Sequence, residues 1–581
     1  MSVKQKGSFL GFSIEMSVTN QVLGKNSTFI QVPFLNLMAN LQQRAGSVMV
    51  RVGGNTQESA TLVPTLDKGR ILEKNLTGVT GTTQTPPLDF TPDLLYLMRN
   101  ISGMVNVHWF MGIPWFVTKP FDLKIVAAAD NILGDYLLGL QAANEPDMYN
   151  IHGHRPAEYG PNDYNGEFSD LLAQIAADGA DPTGRVRSRL IGPNIALFQP
   201  DRWSLENVWS TGFLDQFNAN LAFLAVEKYP RDNCAAAFGG PGAQVTDPQS
   251  ILNLYLTHEA HKSLLAPYLA STMVAQQHNK PFLMFETNTG SCGGFNGISD
   301  SFTAALWGLD YALQMAHSNF TGAMFHVGGQ NVFYNPFTSP PTNQTTFRQW
   351  TIGPLYYTAL VMAEILGATN EAQVLDLPIP GISPFTPIYG IYEKGTPVRV
   401  AIINYVEDPL GANDVHAVIS IAGGSLPASV KVKYLAAKSV VQKGNITWAG
   451  QTFGGNFDSD GRPMGTEVIK DVPCDAGAQT CTVVVPAPGF ALVFLTEGSQ
   501  TENGGLPSVT FATTARTRSH NTATVDPAVL STSNGYRMRD HELASTSLKQ
   551  PSGARAVPVP LAFAVIASFA MGVLTVIGRA I

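Results

Sequence analysis

The fold is decided by two stretches of the chain, Leu140-Gln-Ala-Ala-Asn-Glu-Pro-Asp147 and Phe282-Leu-Met-Phe-Glu-Thr-Asn288, in each of which an apolar run stops at a glutamate. Runs of this kind fit strands that are buried on both faces. Glu145 and Glu286 would then lie at the rim of a sheet or barrel, where barrel enzymes hold their catalytic groups. Two carboxyl groups on different strands supply the proton donor and the nucleophile or base that cleavage of a glycosidic bond needs. The pattern therefore indicates a glycosidase.

Short apolar segments recur through residues 1–367, with stretches of helical periodicity between them. The candidate strands are Ser8–Glu15, Ser47–Gly53, Met104–Gly112, Tyr136–Ala143, Arg189–Asn194, Asn220–Glu227, Pro281–Glu286 and Gly322–Val327. The segments with helical periodicity include Phe168–Ala177, Ile251–Gln276 and Ser301–His317. This alternation predicts an α/β fold with a (β/α)8 TIM barrel as the catalytic domain. Glu145 then follows the fourth strand, and Glu286 ends the seventh.

The predicted secondary structure changes from alternating strands and helices to strands alone after the predicted helix Leu355–Leu366. Short strands separated by Gly, Pro and Asn turns predict a β-sandwich domain over residues 368–497. Such a module can bind carbohydrate. Because no aromatic platform is evident, a structural buttress for the barrel is the favoured interpretation.

The composition of the two ends predicts a C-terminal stalk with an apolar tail and an N-terminus that lacks its leader. Residues 498–556 are rich in Ser, Thr, Asn, Pro and Gly, which is typical of a disordered stalk, with or without O-glycosylation. Residues 557–578 are almost uninterruptedly apolar and long enough for a transmembrane span or a cleaved glycolipid-anchor signal. A buried core helix fits less well because of Pro558 and Pro560. Met1–Gly7 is too short and polar for a signal peptide, so we expect a missing leader.

The composition is that of a globular protein: 581 residues, 44% hydrophobic and 14% charged. A formal net charge of −8 argues against nucleic acid as a partner, because no basic surplus exists to hold phosphates. The pattern predicts no cofactor and no metal site. His152 and His154, for example, have an i, i+2 spacing without a third ligand.

The four cysteines match no zinc module. Cys474 and Cys481 bracket a short turn that suits a hairpin disulfide, which leaves Cys234 and Cys292 to pair in the larger domain. Both pairings need an oxidising compartment. Six Asn-X-Ser/Thr sequons agree with that, at Asn26, Asn75, Asn100, Asn319, Asn343 and Asn445. We therefore expect a secreted glycoprotein or one anchored at the cell surface through its C-terminal segment.

Five motifs in matching order resemble one family. They are Ser8-Phe-Leu-Gly-Phe-Ser-Ile-Glu15, Val50-Arg-Val-Gly-Gly-Asn-Thr-Gln57, Asn144-Glu145-Pro146, Glu286-Thr-Asn-Thr-Gly-Ser-Cys-Gly-Gly294 and Tyr334-Asn-Pro-Phe337. Together they resemble the fungal branch of glycoside hydrolase family 79, the β-glucuronidase and heparanase family of the retaining (β/α)8-barrel clan. The resemblance covers about Gly7 to Glu497.

The chemistry of the two glutamates can be stated residue by residue. Glu145 must carry a proton when it meets the glycosidic oxygen, so its site must raise its pKa. Glu286 must stay ionised to attack the anomeric carbon, and Arg51 is the candidate cation that holds its pKa down. A retaining mechanism predicts that the two carboxyl groups lie about 5 Å apart.

The resemblance implies further substrate contacts. Asn144 would bind the sugar 2-hydroxyl, while the Gly293-Gly294 backbone and Tyr334 would receive a sugar carboxylate. An ordinary turn is the alternative for the two glycines. Tyr229 is placed to touch the nucleophile, although a packed core tyrosine is nearly as common. Asn55 belongs to a turn on the substrate side.

The sequence departs from the family pattern at two places. Cys292 stands where an aromatic residue is expected, and Val226-Glu-Lys-Tyr229 lacks a His-rich motif.

The sequence thus predicts a retaining exo-β-glucuronidase that removes terminal glucuronic acid, with or without a 4-O-methyl group, from glycoconjugates or polysaccharides. One alternative is an endo-acting or glucosidase-like retaining glycosidase. The other is a catalytically silent surface protein that binds carbohydrate. The sequence makes no prediction of oligomeric state.

Overall fold

The computed structural model describes residues 1–75, 86–197, 199–240, 242–329, 331–340, 350–454, 460–500, 508–513 and 573–579. Eight parallel strands close into a barrel in the order β1-β8-β7-β6-β5-β4-β3-β2, which confirms the predicted TIM barrel. The barrel strands are β1 Leu10–Glu15, β2 Val48–Gly53, β3 Val107–Ile113, β4 Leu137–Ala142, β5 Leu190–Ile195, β6 Leu221–Glu227, β7 Phe282–Thr287 and β8 Gly322–Val327.

Helices connect the strands on the outside of the barrel. Those of eight residues or more are α1 Val32–Ala45, α2 Pro92–Val105, α3 Lys124–Leu133, α4 Pro161–Ala177, α5 His258–Leu265, α6 Leu269–Gln277, α7 Phe302–His317 and α8 Pro354–Leu366. Shorter helices are Thr19–Val22, Leu205–Ser210, Phe213–Phe217, Cys234–Phe238 and Pro248–Ile251. The segment Ile251–Gln276 is not one continuous helix. It is interrupted by the 3-10 turn Ala266–Tyr268, where Pro267 has no backbone N–H to donate.

The lower interior of the barrel is a packed apolar cluster rather than a pore. Its buried members are Met49, Phe110, Ile191, Ala225, Leu283, Phe285 and Met324. Side chains alternate along a strand, so the residue two positions further on faces the same way. Arg51, Glu227 and His326 therefore lie above this cluster, towards the carboxyl ends of the strands. The packed floor thus places polar side chains at the rim, where barrel enzymes carry their sites.

The C-terminal domain is an antiparallel sheet of β9 Ala372–Asp376, β10 Ile388–Glu393, β11 Thr396–Asn404, β12 Val415–Ala422, β13 Ser429–Ala436, β14 Lys470–Asp475, β15 Thr480–Val485, β16 Gly489–Phe494 and β17 Val573–Arg579. Its order is β9-β10-β11-β16-β13-β14-β15-β12-β17. The sheet is hydrogen-bonded throughout and curls over its own core, which includes Ile402, Ile419 and Val483. The predicted β-domain is thus present as one curled sheet rather than two separate layers.

A further short strand of this sheet, Thr447–Trp448, pairs with β13. Other short strands lie outside the barrel and the main sheet: Gly24–Asn26, Phe29–Ile30, Ala60–Leu62, Leu72–Lys74, Leu88–Phe90, Phe337–Thr338 and Thr351–Ile352.

Buried ionic groups join the barrel to the β-domain. On α8, Glu364 lies 2.6 Å from the Nζ atom of Lys433 and accepts a 3.0 Å hydrogen bond from the Trp448 indole. The start of the chain also reaches across, because the Gln5 N–H donates to the Ala372 carbonyl at 2.7 Å. The two parts therefore form one packed unit.

Three described segments fall within the predicted stalk and tail. Residues 508–513 lie against α1, where the backbone of Phe511 exchanges two hydrogen bonds with the Asn36 side chain, of 2.8 and 3.0 Å. Residues 498–500 belong to a 3-10 turn, Glu497–Gln500. The beginning of the predicted disordered stalk is therefore ordered at both places. The last seven described residues, β17, pair with β12.

The remainder of the stalk and residues 557–572 lie outside the described residues, and so does the Asn343 sequon. Across the described ranges, we find no helix with both the length and the apolar character needed to cross a membrane.

Candidate active site

Glu286 lies at the end of β7 and is held by three side chains. Arg51 donates to it from Nη1 at 2.6 Å, and Tyr229 donates its hydroxyl at 2.8 Å. His326 Nδ1 lies 3.4 Å from the same carboxylate. Burial alone would raise the pKa of Glu286, but His326, Arg51 and the hydrogen bond from Tyr229 outweigh it and hold the pKa below its ordinary value. Glu286 is thus an ionised carboxylate suited to attack.

The register of β7 explains how Glu286 comes to face this site. Its pairing with β8 shifts between Met284 and Thr287, and its pairing with β6 shifts at the same level. An irregularity of this kind re-aims a side chain. Phe285 can therefore fill the barrel floor while the next residue, Glu286, faces the rim.

Arg51, on β2, is fully buried and organises the polar layer of the barrel. Besides Glu286, its guanidinium donates to the Asn144 side-chain oxygen, to Gln141 Oε1 at 2.9 Å and to Ser13 Oγ at 3.0 Å. Its planar fork of donors can satisfy several fixed acceptors at once. Arg51 therefore fixes β1, β2, β4 and β7 relative to one another at the level of Glu286.

Glu145 follows β4 in a turn with a left-handed backbone, at φ of 47°. Its N–H donates to the Asn194 carbonyl at 3.1 Å. Burial, together with the negative charges of Glu286 and Asp147, raises the pKa of Glu145 to about 8. Glu145 is therefore protonated at neutral pH, whereas Glu286 is ionised. These opposite states are the ones an acid and a nucleophile need.

Asn144 and Asn55 lie side by side, with a 3.0 Å hydrogen bond from Asn144 Nδ2 to Asn55 Oδ1. The backbone N–H of Asn144 donates to Glu58 at 2.8 Å, and Tyr149 donates its hydroxyl to the other oxygen of Glu58 at 2.5 Å. Burial raises the pKa of Glu58 to about 8 despite these bonds. Glu58 thus holds the backbone of Asn144, the residue before Glu145, and the side chain of Asn144 in turn binds Asn55.

The segment after Glu286 forms a tight turn near Tyr334. Cys292, Gly293 and Gly294 all have positive φ angles, of 55°, 92° and 73°. A Cβ atom on Gly294 would come within 2.6 Å of Ser299 Oγ, so this position needs glycine. The Gly294 N–H lies 3.4 Å from the Ser291 carbonyl, a long contact for a hydrogen bond.

The rings of Tyr334 and Tyr229 lie 6.4 Å apart, centroid to centroid, and Tyr334 lies 6.0 Å from His326. Cys292 is bonded to Cys234, and Cys474 to Cys481. The glycine turn and Tyr334 therefore lie on the same side of the site as Glu286 and Tyr229.

Sequence reasoning overlooked three residues of the polar layer. Glu227 ends β6 and lies 3.4 Å from Arg51, and Gln141 donates to it at 2.8 Å. Burial raises the pKa of Glu227 well above its ordinary value. Glu15 ends β1, and burial raises its pKa also. Both carry the same signal as Glu286, a charge at the end of an apolar strand. His326 had no comparable signal.

The described ranges contain no group of three or more His, Cys, Asp or Glu side chains that could hold a metal ion. What the site brings together is a set of carboxyl groups in two protonation states around one arginine. Chemically, this arrangement can donate a proton and attack an electrophilic carbon.

Comparisons with known proteins agree with this geometry. Residues 388–492 match the family model described as the glycosyl hydrolase family 79 C-terminal beta domain. A beta-glucuronidase of Aspergillus niger is 28% identical over 487 residues, which cover 78% of this chain and 84% of the relative. A beta-glucuronidase of Neurospora crassa is 26% identical over 517 residues, 78% of this chain and 86% of the relative.

Solved structures show the same fold. A 4-O-alpha-L-rhamnosyl-beta-D-glucuronidase from Fusarium oxysporum superimposes with a TM-score of 0.66 at 19% identity, covering 85% of this chain and 97% of that chain. The family 51 arabinofuranosidase of Xanthomonas axonopodis pv. citri gives a TM-score of 0.52 at 11% identity, over 85% of this chain and 97% of that chain.

The closed (β/α)8 barrel and the beta-glucuronidase relatives together indicate that the protein is a glycoside hydrolase. Residues 388–492 match the C-terminal beta domain of glycoside hydrolase family 79, and over most of its length the chain is similar to two beta-glucuronidases.

Proposed function

We propose that this protein is a retaining exo-β-glucuronidase, with Glu286 as nucleophile and Glu145 as acid and then base. The observation that carries the proposal is the opposite shift of two pKa values in one site. The pKa of Glu145 is raised to about 8, while that of Glu286 is lowered. Two carboxyl groups driven apart in this way take the acid and the nucleophile roles.

In the first step, an oxygen of Glu286 forms a bond to the anomeric carbon of the sugar. The bond from that carbon to the glycosidic oxygen breaks, and the leaving oxygen takes the proton of Glu145. Arg51 and Tyr229 hold the attacking carboxylate in place. The products are a glycosyl ester on Glu286 and the free alcohol of the aglycone.

In the second step, Glu145 is a carboxylate and removes a proton from water. The water oxygen bonds to the anomeric carbon, and the ester bond to Glu286 breaks. This restores the ionised Glu286 and the protonated Glu145. Two inversions leave the product with the configuration of the substrate, which makes the enzyme a retaining one.

Choice of a uronic acid is supported by the turn at Gly293 and Gly294 and by Tyr334, which lie beside Tyr229. Backbone N–H groups of a turn can form a concave site for an anion, and a tyrosine hydroxyl adds a donor. The relatives named as beta-glucuronidases, from Aspergillus niger and Neurospora crassa, support the same substrate class. Terminal β-linked glucuronic acid on a glycoconjugate or polysaccharide is therefore the proposed substrate.

Hydrolysis of an aryl β-glucuronide and the matching aryl β-glucoside by the full chain tests the proposal, with Glu286→Ala as the control. We expect strong preference for the glucuronide and no turnover by the variant. Activity on the glucoside alone would refute uronic acid recognition. An active Glu286→Ala variant would refute the mechanism, and an inactive but folded wild-type protein would favour a binding role.

Proton NMR of the first product molecules tests retention, because a retaining enzyme releases the β-anomer before mutarotation. Release of the α-anomer would identify an inverting enzyme. With an oligosaccharide substrate, release of single glucuronic acid residues supports exo action, and internal fragments would contradict it.

For the localisation, we propose that the protein folds in an oxidising compartment. The disulfides Cys234–Cys292 and Cys474–Cys481 support this proposal. Digestion of the native protein with an N-glycan-releasing enzyme should lower its mass. An unchanged mass together with free thiols would contradict passage through the secretory pathway.

A further inference from the structure

The turn that carries Glu145 is conformationally unfavourable. Ala143 and Glu145 flank Asn144, and both have left-handed backbones, with φ of 69° and 47°. Residues with a Cβ atom avoid this region, so such a turn persists only where its surroundings hold it. The position of Glu145 therefore depends on the groups that bind the turn.

One buried carboxyl group, that of Glu58, accepts a hydrogen bond from this turn. Glu58 Oε1 accepts the backbone N–H of Asn144 at 2.8 Å, between the two left-handed residues. Its other oxygen accepts the hydroxyl of Tyr149 at 2.5 Å. Tyr149 OH also lies 3.2 Å from the Asn144 nitrogen, so the three groups form a closed triangle. Only 2% of Glu58 is exposed, which leaves water little access to these bonds.

Because Glu58 lies after β2 and Asn144 lies after β4, the three hydrogen-bonded groups connect the ends of these two strands. Glu58 lies in the turn Asn55–Ser59 after β2, the strand that carries Arg51. Arg51 holds the nucleophile, whereas Glu58 holds the turn of the acid. Tyr149 comes after Glu145 in the same loop. The triangle therefore holds Asn144, before Glu145, and Tyr149, after it, against the turn that follows β2. Arg51, on the same strand, binds Glu286.

From this geometry we propose that Glu58 and Tyr149 are positioning residues for the acid/base Glu145. They touch no reacting atom. Their function is to hold the carboxyl group of Glu145 at the height at which it can protonate the leaving oxygen. This inference rests on the proposed function, because it presupposes that Glu145 is the acid.

A positioning function has a signature that a merely structural one lacks. A misplaced acid slows the departure of poor leaving groups, which need a proton, and hardly affects activated aryl groups, which do not. A general loss of packing lowers the rate for both classes equally. The dependence of kcat/KM on the leaving group therefore separates the two possibilities.

Tyr149→Phe is the sharpest variant, because it removes one oxygen and keeps the ring. Its matched control is Tyr159→Phe in the same loop, where the lost hydroxyl donates to Glu167 at 2.9 Å. We expect Tyr149→Phe to lower kcat/KM for an alkyl β-glucuronide by about 10 to 100-fold, and for a dinitrophenyl β-glucuronide by less than about 3-fold. Tyr159→Phe should change both by the same small factor.

Glu58 is tested by comparing glutamine with alanine. Glu58→Gln keeps an acceptor for the Asn144 N–H and should retain most activity on the alkyl glucuronide. Glu58→Ala leaves that N–H buried without its acceptor, and should show a leaving-group dependence like that of a Glu145 variant. Circular dichroism and thermal unfolding of each variant establish that it is folded.

The outcomes separate this inference from the proposed function. If the wild-type protein hydrolyses neither glucuronide, the proposed function itself fails. If the wild-type protein is active and a folded Tyr149→Phe loses the same factor on both leaving groups, or none on either, the positioning proposal is overturned and the proposed function stands.

Discussion

The Nη1 atom of Arg51 lies 2.6 Å from the Oε2 atom of Glu286, and this contact ties the two halves of the site together. The same guanidinium also binds the side chain of Asn144, the neighbour of the acid Glu145. One buried cation therefore lowers the pKa of Glu286 and also binds a residue that follows β4. Arg51 on β2 thus connects Glu286 at the end of β7 with the turn that carries Glu145.

Replacement of Arg51 by Lys keeps the charge and removes the fork of donors. A lysine ammonium cannot reach Glu286, Asn144 and Gln141 together, so the nucleophile and its neighbours lose their common support. We expect kcat/KM for an aryl β-glucuronide to fall by about 100-fold, while the acidic limb of the pH profile moves little because the charge remains.

The matched control is Arg399→Lys. Arg399 is a buried arginine in the β-domain that pairs with Glu393 at 2.8 Å, and its replacement should leave kcat/KM unchanged. Wild-type kinetics of a folded Arg51→Lys would contradict the organising function of Arg51.

The pH dependence of kcat/KM should follow the two shifted carboxyl groups. Glu286 must be ionised, and its pKa lies below 4.5, so activity should fall only on the acid side of that value. Glu145 must be protonated, and its pKa of about 8 places the basic limb there. A rate profile with a plateau between these limits is the expected result.

Glu145→Gln should remove the basic limb that the wild-type protein shows with a phenyl β-glucuronide, whose leaving group is aided by the proton of Glu145 but still departs at a lower, measurable rate without it. If the basic limb near pH 8 persists in this variant, another group titrates there and Glu145 is not its source.

Much of the site follows from local patterns, and the remainder depends on contacts that are distant in sequence. Glu286 and Glu145 each end an apolar run, and Arg51 lies two positions before the end of β2, which is enough to place them at one rim. Glu58 lies off the strands, and its function becomes visible only where Tyr149, 91 positions away, meets it. The curling of the β-domain into one sheet likewise depends on long-range pairing, which the period of a strand does not encode.

The Cys234–Cys292 disulfide should support both stability and specificity. It spans 58 positions, for which the chain-entropy model gives about 4 kcal/mol of stabilisation. Cys292 also begins the left-handed turn that continues through Gly293 and Gly294. Cys234→Ser with Cys292→Ser should therefore lower the free energy of unfolding and reduce the preference for glucuronide over glucoside.

Cys474→Ser with Cys481→Ser is the control for this effect. That disulfide spans seven positions in the β-domain and should cost about 2.5 kcal/mol of stability with no change in sugar preference. Equal sugar preference in both double variants would show that the Cys234–Cys292 bond does not shape the carboxylate site.

His258 should make the stability of the protein depend on pH. Its ring bridges the barrel and the β-domain, with Nδ1 at 3.0 Å from Asp310 and Nε2 at 3.1 Å from Asp376. Burial opposes the charged ring, but the hydrogen bonds and charges of the two aspartates outweigh it and raise the pKa of His258 to about 9.

Because the pKa of His258 in the folded protein lies above the value of 6.5 for the unfolded chain, its contribution is complete below pH 6.5 and disappears as the pH rises through 9. Its full size is at most about 3 kcal/mol. Urea unfolding at pH 6 and pH 9.5 should show wild-type protein losing more stability than His258→Gln, whereas His278→Gln, at the end of α6, should follow the wild type. A wild-type advantage over His258→Gln that stays the same at both pH values would mean that the ring does not hold its extra proton, and that neutral packing alone joins α5 to the β-domain at this point.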